Sequence, residues 1–531
     1  MRQRLSKIAT ACAIAFTLCA TSLPTAAVAA ESPTVDAAAV AAPSGWNVVE
    51  KPITPHVAKV TVALVAPQGT TPNFTVEQAR KGVEGANTFF SRETDGALTI
   101  ELERVVDWQY VDTDIPCSWT GDLQNWVQPR IGWQRGAGKH LIVMVPTGSP
   151  CPNWANGEQQ GSINSGGRTY QPGPDSYTIV HELGHNMSQF HAASVSCSAA
   201  WDFSTIGPGV PSGCSRNEYG NRLDVMGAGW TLNPYPAATL NRVGMLPRRF
   251  EPSCGETRSL DLTKAGAGAQ GREVVSFADP RNPSARYWVD FRAKTDAAIY
   301  DNLHSSQFAF NPNRDGVQIT RNDPNQWSGP AVISRPGDGN DHRQLLAVGE
   351  RVALGGGAWV EFKGTTTSGE GSVDVFLPCS FETTMVAQHS NLCLDNSTTD
   401  AGGSTHPTQN TCGTASVQKY AFIEVPGAAD VYTIVNRQTL TCLDIAGNSG
   451  SNGADVLHYP CSGTTNQQFT LRAQTFTGAT ANDFQVVSRS SSKCVDVTSG
   501  STDIGADLLQ WTCASPSSGT TKNQVWRLAG A

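Results

Sequence analysis

Charge is scarce in this chain. Only 16% of its 531 residues are Asp, Glu, Lys or Arg, and the formal net charge is −8. No basic stripe accompanies that balance, so no nucleic-acid partner is expected. Long apolar runs are missing as well. Residues 8–18 form the one candidate, too short for a spanning helix and followed quickly by Thr and Pro; no membrane span is expected. No Cys-x-x-Cys pair occurs, which argues against cysteine ligation of a metal. No acidic loop clearly marks a calcium site, and no convincing pair of carboxylates suggests glycoside hydrolysis.

The chain is too long for one core, so about three domains are expected. Its start carries Arg2, Arg4 and Lys7, then the short apolar run, then Ala27-Val28-Ala29-Ala30. Residues 1–30 therefore read as a secretory signal peptide and the protein as secreted. Of fourteen cysteines, Cys12 and Cys19 would leave with that signal. The twelve that remain form an even set in an exported protein, which makes disulfides the expectation. Pairing does not follow from sequence, but the grouping suggests neighbours: Cys117 with Cys151, Cys197 with Cys214, and Cys254 with Cys379 around a middle domain.

The most informative segment is His181-Glu182-Leu183-Gly184-His185-Asn186-Met187-Ser188-Gln189-Phe190-His191. On a helix His181 and His185 lie one turn apart on one face, their Cβ atoms about 5–6 Å from each other. Both imidazoles could then reach one Zn2+ at about 2.0–2.1 Å. Glu182 stands beside them, where a carboxylate can take a proton from water. His191 completes three protein ligands and leaves a fourth position open, the mark of a catalytic site. A helix capped near Asp175 or Ser176 and entering through Tyr177-Thr178-Ile179-Val180 would carry the pair.

Downstream stands Glu218-Tyr219-Gly220-Asn221-Arg222-Leu223-Asp224-Val225-Met226-Gly227. With the histidine segment it resembles the metzincin metallopeptidases, and among them the gametolysin-like family. The resemblance covers about residues 56–250, with two strong motifs. It implies an α/β zincin-like catalytic domain, zinc ligands His181, His185 and His191, Glu182 as general base, and Met226 as a floor beneath the metal. Two positions depart from the family. Ser188 replaces a glycine, and a left-handed backbone there would cost roughly 1–2 kcal/mol. Ala228 stands where some metzincins carry a tyrosine, so no second transition-state stabiliser is visible; Tyr219 and Tyr235 are candidates.

Residues 31–55 are rich in Ala, Pro and Ser and read as a linker or short pro-segment, without a cysteine to serve as a thiol-zinc latency switch. From His56 the pattern suggests a strand over 57–65, a helix over 76–91, strands over 98–106 and 140–145, and a closing helix over 236–246. Residues 251–379 alternate strand-like runs (272–277, 287–291, 316–320, 351–354, 358–362, 372–377) with turns and show no long helix. An all-β accessory domain is expected, a sandwich that packs and spaces.

After residue 380 the chain repeats. Cys393-Leu394-Asp395, Cys442-Leu443-Asp444 and Cys494-Val495-Asp496 recur, each followed nineteen residues on by Cys412, Cys461 or Cys513. Each unit ends in Gln-x-aromatic: Gln418-Lys419-Tyr420, Gln467-Gln468-Phe469 and Gln524-Val525-Trp526. Over 380–531 this resembles the ricin-type β-trefoil lectin. By that resemblance an aspartate accepts sugar hydroxyls, an aromatic ring stacks on the sugar face, and an Asn-Gln pair assists. The second unit offers Asp444, Tyr459, Asn466 and Gln467; the third offers Asp496, Trp511, Asn523 and Gln524. The first has Asp395 but Asn410 in place of the aromatic, so it is expected to be scaffold. Leu457 and Leu509 stand where a glutamine is usual.

The expectation is a secreted, monomeric zinc metalloendopeptidase acting on protein or glycoprotein, with its trefoil holding a carbohydrate ligand. The alternative is a secreted lectin whose protease-like domain is inert.

Overall fold

A computed structural model describes residues 43–529, apart from 149, 152, 199, 203–209, 211–212, 229–231, 295–313, 325–328, 337–343, 397–404, 477 and 515–521. The expected signal peptide, and residues 31–42 of the expected linker, lie outside the described residues.

The buried, almost wholly apolar strand His56–Ala66 organises the first region. Leu98–Tyr110 and Lys139–Val145 pair with it in parallel, Gly167–Pro172 extends the sheet in parallel, and Asn156–Gly157 closes the edge antiparallel. Parallel strands covered on both faces need apolar residues at nearly every position. Ala58, Val60, Val62 and Leu64 face α1 (Val76–Glu93) and α3 (Ser176–Asn186), while Ala63 and Val65 face α2 (Thr120–Arg130). Thr75 and Gln78 cap α1 reciprocally. A fourth α-helix, α4, is Ala237–Arg242.

Two further sheets share one core. Eight strands, in the order Trp46–Glu50, Arg248–Pro252, Val275–Asp279, Asn282–Arg292, Gly316–Asn322, Ala331–Ser334, Ala193–Cys197 and Cys214–Asn217, form one layer. Thr257–Leu262, Gly371–Phe376, Trp359–Thr365 and Arg351–Ala353 form the other. Val275, Phe277, Tyr287, Val289 and Phe291 from the first layer meet Leu260, Val360, Phe362 and Val373 from the second. This is the expected sandwich, with two corrections. Residues 46–50 are not linker; they pair with 248–252, and Trp46 buries its ring against Phe250. Nor does the β region stop at 251, because strands 193–197 and 214–217 of the first region complete its sheet. A composition shift marks where the chain turns flexible, not which distant strand it will pair with.

The sandwich is more than a spacer. The opposite face of its larger sheet carries Trp288, which joins the core of the first region. On that face Asp290 accepts from the Ala237 amide at the start of α4, and Arg292 donates to Pro234 O at 2.8 Å. Burying such charges is tolerable because each is paired: Arg272 donates to Asp290 at 2.7 Å.

Beyond Cys379 three units of four strands each close into a barrel. Its six staves are Ser380–Ala387, Tyr420–Glu424, Val431–Asn436, Gln468–Ala473, Asp483–Ser488 and Val525–Ala529, the last pairing back to the first. A hairpin caps each unit: 393–395 with 408–410, 442–445 with 456–459, and 494–497 with 508–511. This is the β-trefoil arrangement. The repeat aromatics Tyr420, Phe469 and Trp526 are fully buried in its core. Six disulfides form: Cys117–Cys151, Cys197–Cys214 and Cys254–Cys379, as the grouping suggested, and Cys393–Cys412, Cys442–Cys461 and Cys494–Cys513 within the units. No described helix is long and apolar enough to cross a membrane.

Candidate metal centre and carbohydrate sites

Asp175 caps α3, its side chain accepting from the Thr178 amide at 2.9 Å. The helix ends in a Schellman turn: Ser188 N donates to His185 O at 3.1 Å and Gln189 N to Gly184 O at 2.9 Å. Such a turn needs a left-handed residue just past the cap. Ser188 supplies it at φ +74°, the conformation its replacement of glycine put at risk. The chain then reverses and brings His191 back. One ring nitrogen from each of His181, His185 and His191 lies within 4.8 Å of the others, the only such cluster of three metal-ligating side chains among the described residues.

Each Nδ1 is already engaged. His181 donates to Val225 O at 2.9 Å, His185 to Gln189 O at 3.0 Å, and His191 to Glu218 Oε1 at 2.9 Å. That network assigns Nδ1–H tautomers and leaves three Nε2 lone pairs free. Burial pushes His181 down to about 3 and His185 down to about 4, so both rings are neutral at ordinary pH, as ligation requires. Three imidazoles, each with its Nδ1 engaged, fit Zn2+.

Met226 is fully buried, and its sulfur lies against the last turn of α3. A Cβ at Gly184 would come 2.6 Å from Met226 Sδ, so the glycine between the two helical histidines is what lets this floor approach. Asp224 accepts from Met226 N at 2.9 Å and from Thr239 Oγ1 at 3.2 Å. Met226 O takes the amide of Ala192, tying the turn at Asp224–Met226 to the residue after His191.

Glu182 is 6% exposed, and burial pushes its carboxyl up to about 8, opposed by a hydrogen bond from the Gly157 backbone. It faces a cleft of about 350 Å³ lined by Trp154, Tyr177, His181, Tyr219 and Ala228. A smaller hollow of about 240 Å³, sharing His181, Glu182 and Tyr219 with that cleft, reaches His185 and His191. Asn156–Gly157, the edge of the first sheet, borders that hollow. Of the two candidate tyrosines, Tyr235 is 1% exposed and packs on Phe89 at 5.1 Å between ring centres; only Tyr219 lines the cleft. Glu218 stood inside the quoted motif without a role, and the bond to His191 comes from folding alone.

In the trefoil, the second and third units are near copies. Asp444 accepts from Asn466 Nδ2 at 3.0 Å and Gln467 Nε2 at 2.8 Å; Asp496 accepts from Asn523 and Gln524, each at 2.7 Å. Burial raises both carboxyls and the amide bonds oppose it. Leu457 pairs with Asp444 and Leu509 with Asp496, so Tyr459 and Trp511, two residues on, share the face of their aspartate. Their rings are 51% and 47% exposed, open platforms beside a held carboxylate. Gln467 and Gln524, expected to assist, lie beneath their aspartates. They are 0% and 2% exposed and spend their amides on the aspartate, on Pro460 O or Thr512 O, and on the Ser462 or Ala514 amide. They orient the aspartate from beneath. The first unit lacks the aromatic, and Val417 replaces the asparagine, which fits its expected role as scaffold.

Residues 381–459, 416–511 and 465–531 match the family described as ricin-type beta-trefoil lectin domain-like. Among solved structures, the designed three-fold symmetric protein ThreeFoil is 28% identical over 28% of this chain and 99% of its own, with a TM-score of 0.25. The ricin B-like lectin of Macrolepiota procera, solved with lactose, is 14% identical over 28% of this chain and 94% of its own, with a TM-score of 0.22. The Rhizoctonia solani agglutinin is 15% identical over 29% and 97%, with a TM-score of 0.23. No curated protein matches the chain. The C-terminal region is thus lectin-like in sequence family and in architecture.

Proposed function

We propose that the chain is a secreted zinc-dependent endopeptidase of the metzincin type, kept near glycans by its trefoil. The observation that carries this reading is the convergence of three imidazoles, each with Nδ1 engaged, beside a buried glutamate in an open cleft. His181, His185 and His191 would hold the metal. Bound zinc supplies water of lowered pKa and polarises a carbonyl. Glu182 takes the proton of the attacking water and passes it to the leaving nitrogen. The edge strand Asn156–Gly157 borders the site and would lie beside an extended peptide bound there. Six disulfides agree with an oxidising compartment. Asp496 with Trp511, and Asp444 with Tyr459, would bind sugar, raising the local concentration of glycoprotein or cell-wall-associated substrate.

The family match over 381–531 also favours a second reading, a lectin with an inert protease-like region. Incubating the secreted protein with casein and with a glycoprotein separates the two. Peptide cleavage that disappears with chelator and in Glu182→Ala is expected. Glycan binding with no cleavage under any condition would leave only the lectin.

A further inference from the structure

The three imidazoles are held by different means. His181 and His185 ride on α3 and donate to backbone carbonyls, which no side-chain substitution removes. His191 lies beyond the helix. Its backbone neighbourhood is pinned from two sides: Ala192 N donates to Met226 O, and Ala193 N to Pro330 O at the start of a strand pairing from the sandwich. That fixes the chain but not the rotation of the ring. Two side chains set the rotation. Glu218 Oε1 accepts the Nδ1 proton at 2.9 Å, and the Tyr219 ring centre lies 3.8 Å from that of His191. Both directly follow the strand Cys214–Asn217, which pairs with Ala193–Cys197. Cys197–Cys214 ties the two strands, Tyr219 N donates to Asn217 Oδ1, and Tyr219 O accepts from Ala228 N.

We infer that Glu218 is a positioning residue for the third imidazole, and that with the Tyr219 ring it sets how tightly the centre holds its cation. The inference rests on reading the three histidines as zinc ligands. A carboxylate on Nδ1–H orients the ring and raises the basicity of Nε2, and losing such a partner typically costs about 10–100-fold in metal affinity. His185 Nδ1 also has Gln159 Oε1 at 3.2 Å, but of the acceptors on these three rings Glu218 alone is charged, and it is 61% exposed. Exposed pairs of this kind add little to folding, so its removal should leave the fold intact.

The test is zinc affinity of the full-length protein, measured by competition with a chromophoric chelator, with the visible spectrum of the cobalt(II) form as a second readout. Glu218→Ala should bind zinc about 10–100-fold more weakly and alter the cobalt bands. Glu218→Gln, which keeps an acceptor oxygen without the charge, should fall between it and the wild type. Tyr219→Leu should weaken binding as well. Thermal unfolding of the metal-free proteins checks the fold, and Glu218→Gln carries the test if the alanine variant is unstable. Glu218→Ala with affinity within twofold of wild type and an unchanged cobalt spectrum would overturn the inference while leaving the zinc reading intact. A wild-type protein that binds no zinc would overturn both.

Discussion

Ser188→Gly probes how the third histidine is delivered. Serine holds φ +74° there, in the region where a side chain costs roughly 1–2 kcal/mol. Its hydroxyl recovers little, since Oγ lies 3.5 Å from Arg242 Nη2. The stronger contact, Arg242 Nε to Ser188 O at 2.6 Å, uses a carbonyl that glycine keeps. Against the relief stands the greater freedom of glycine in the unfolded chain, about 0.4–1 kcal/mol. The balance favours the variant by about 1 kcal/mol. Urea unfolding of metal-free full-length protein should show a later transition for the region containing α3, with zinc affinity equal or slightly tighter. Earlier unfolding, or a fall in affinity of more than a few-fold, would refute the reasoning. The serine side chain would then be holding the turn rather than merely being tolerated in it.

Two further outcomes follow from the trefoil. Trp511→Ala should weaken retention on immobilised glycoprotein about tenfold through loss of the stacking platform, whereas Asn410→Ala in the first unit should change nothing; equal effects would contradict the assignment of sites. His458 occupies the position held by Gln409 and Gln510 in the other two units, and burial pushes it down to about 3 from an ordinary 6.5. Its folded pKa lies below its unfolded one, so stability is lost as pH falls from about 6.5 towards 3, by up to roughly 5 kcal/mol. His458→Gln should move the acid transition of the trefoil, followed by tryptophan fluorescence, to lower pH. An unchanged midpoint would mean that this ring does not govern acid unfolding.

Much of the first region was legible because its signals are local. The strand expected over 57–65 is His56–Ala66, the helix expected over 76–91 is Val76–Glu93, and the cap of α3 is Asp175. Gly167–Pro172 escaped notice because Arg-Thr-Tyr-Gln carries no run of apolar residues, although four of its six residues are buried. Thr120–Arg130 has apolar residues too scattered for a clear helical face, with Pro129 inside it. At the site, His181, His185 and Glu182 followed from helical spacing. Gln467 and Gln524, expected from the resemblance to assist, turn out to act through their aspartates, a bond that only the folded unit reveals.

The sequence by itself determined what short chemical distance controls: two imidazoles one helical turn apart, a strained serine where glycine is usual, and a repeat unit too small to bury its own core, hence tripled. Tertiary structure decided everything that depends on partners far along the chain. It brought His191 back beneath Glu218, seated Met226 against Gly184, and paired strands 193–197 with 331–334 so that the sandwich helps hold the third histidine. Spacing along a backbone is set by bond geometry, whereas contact across a fold is set by which buried surfaces find each other, and no single stretch of residues records that.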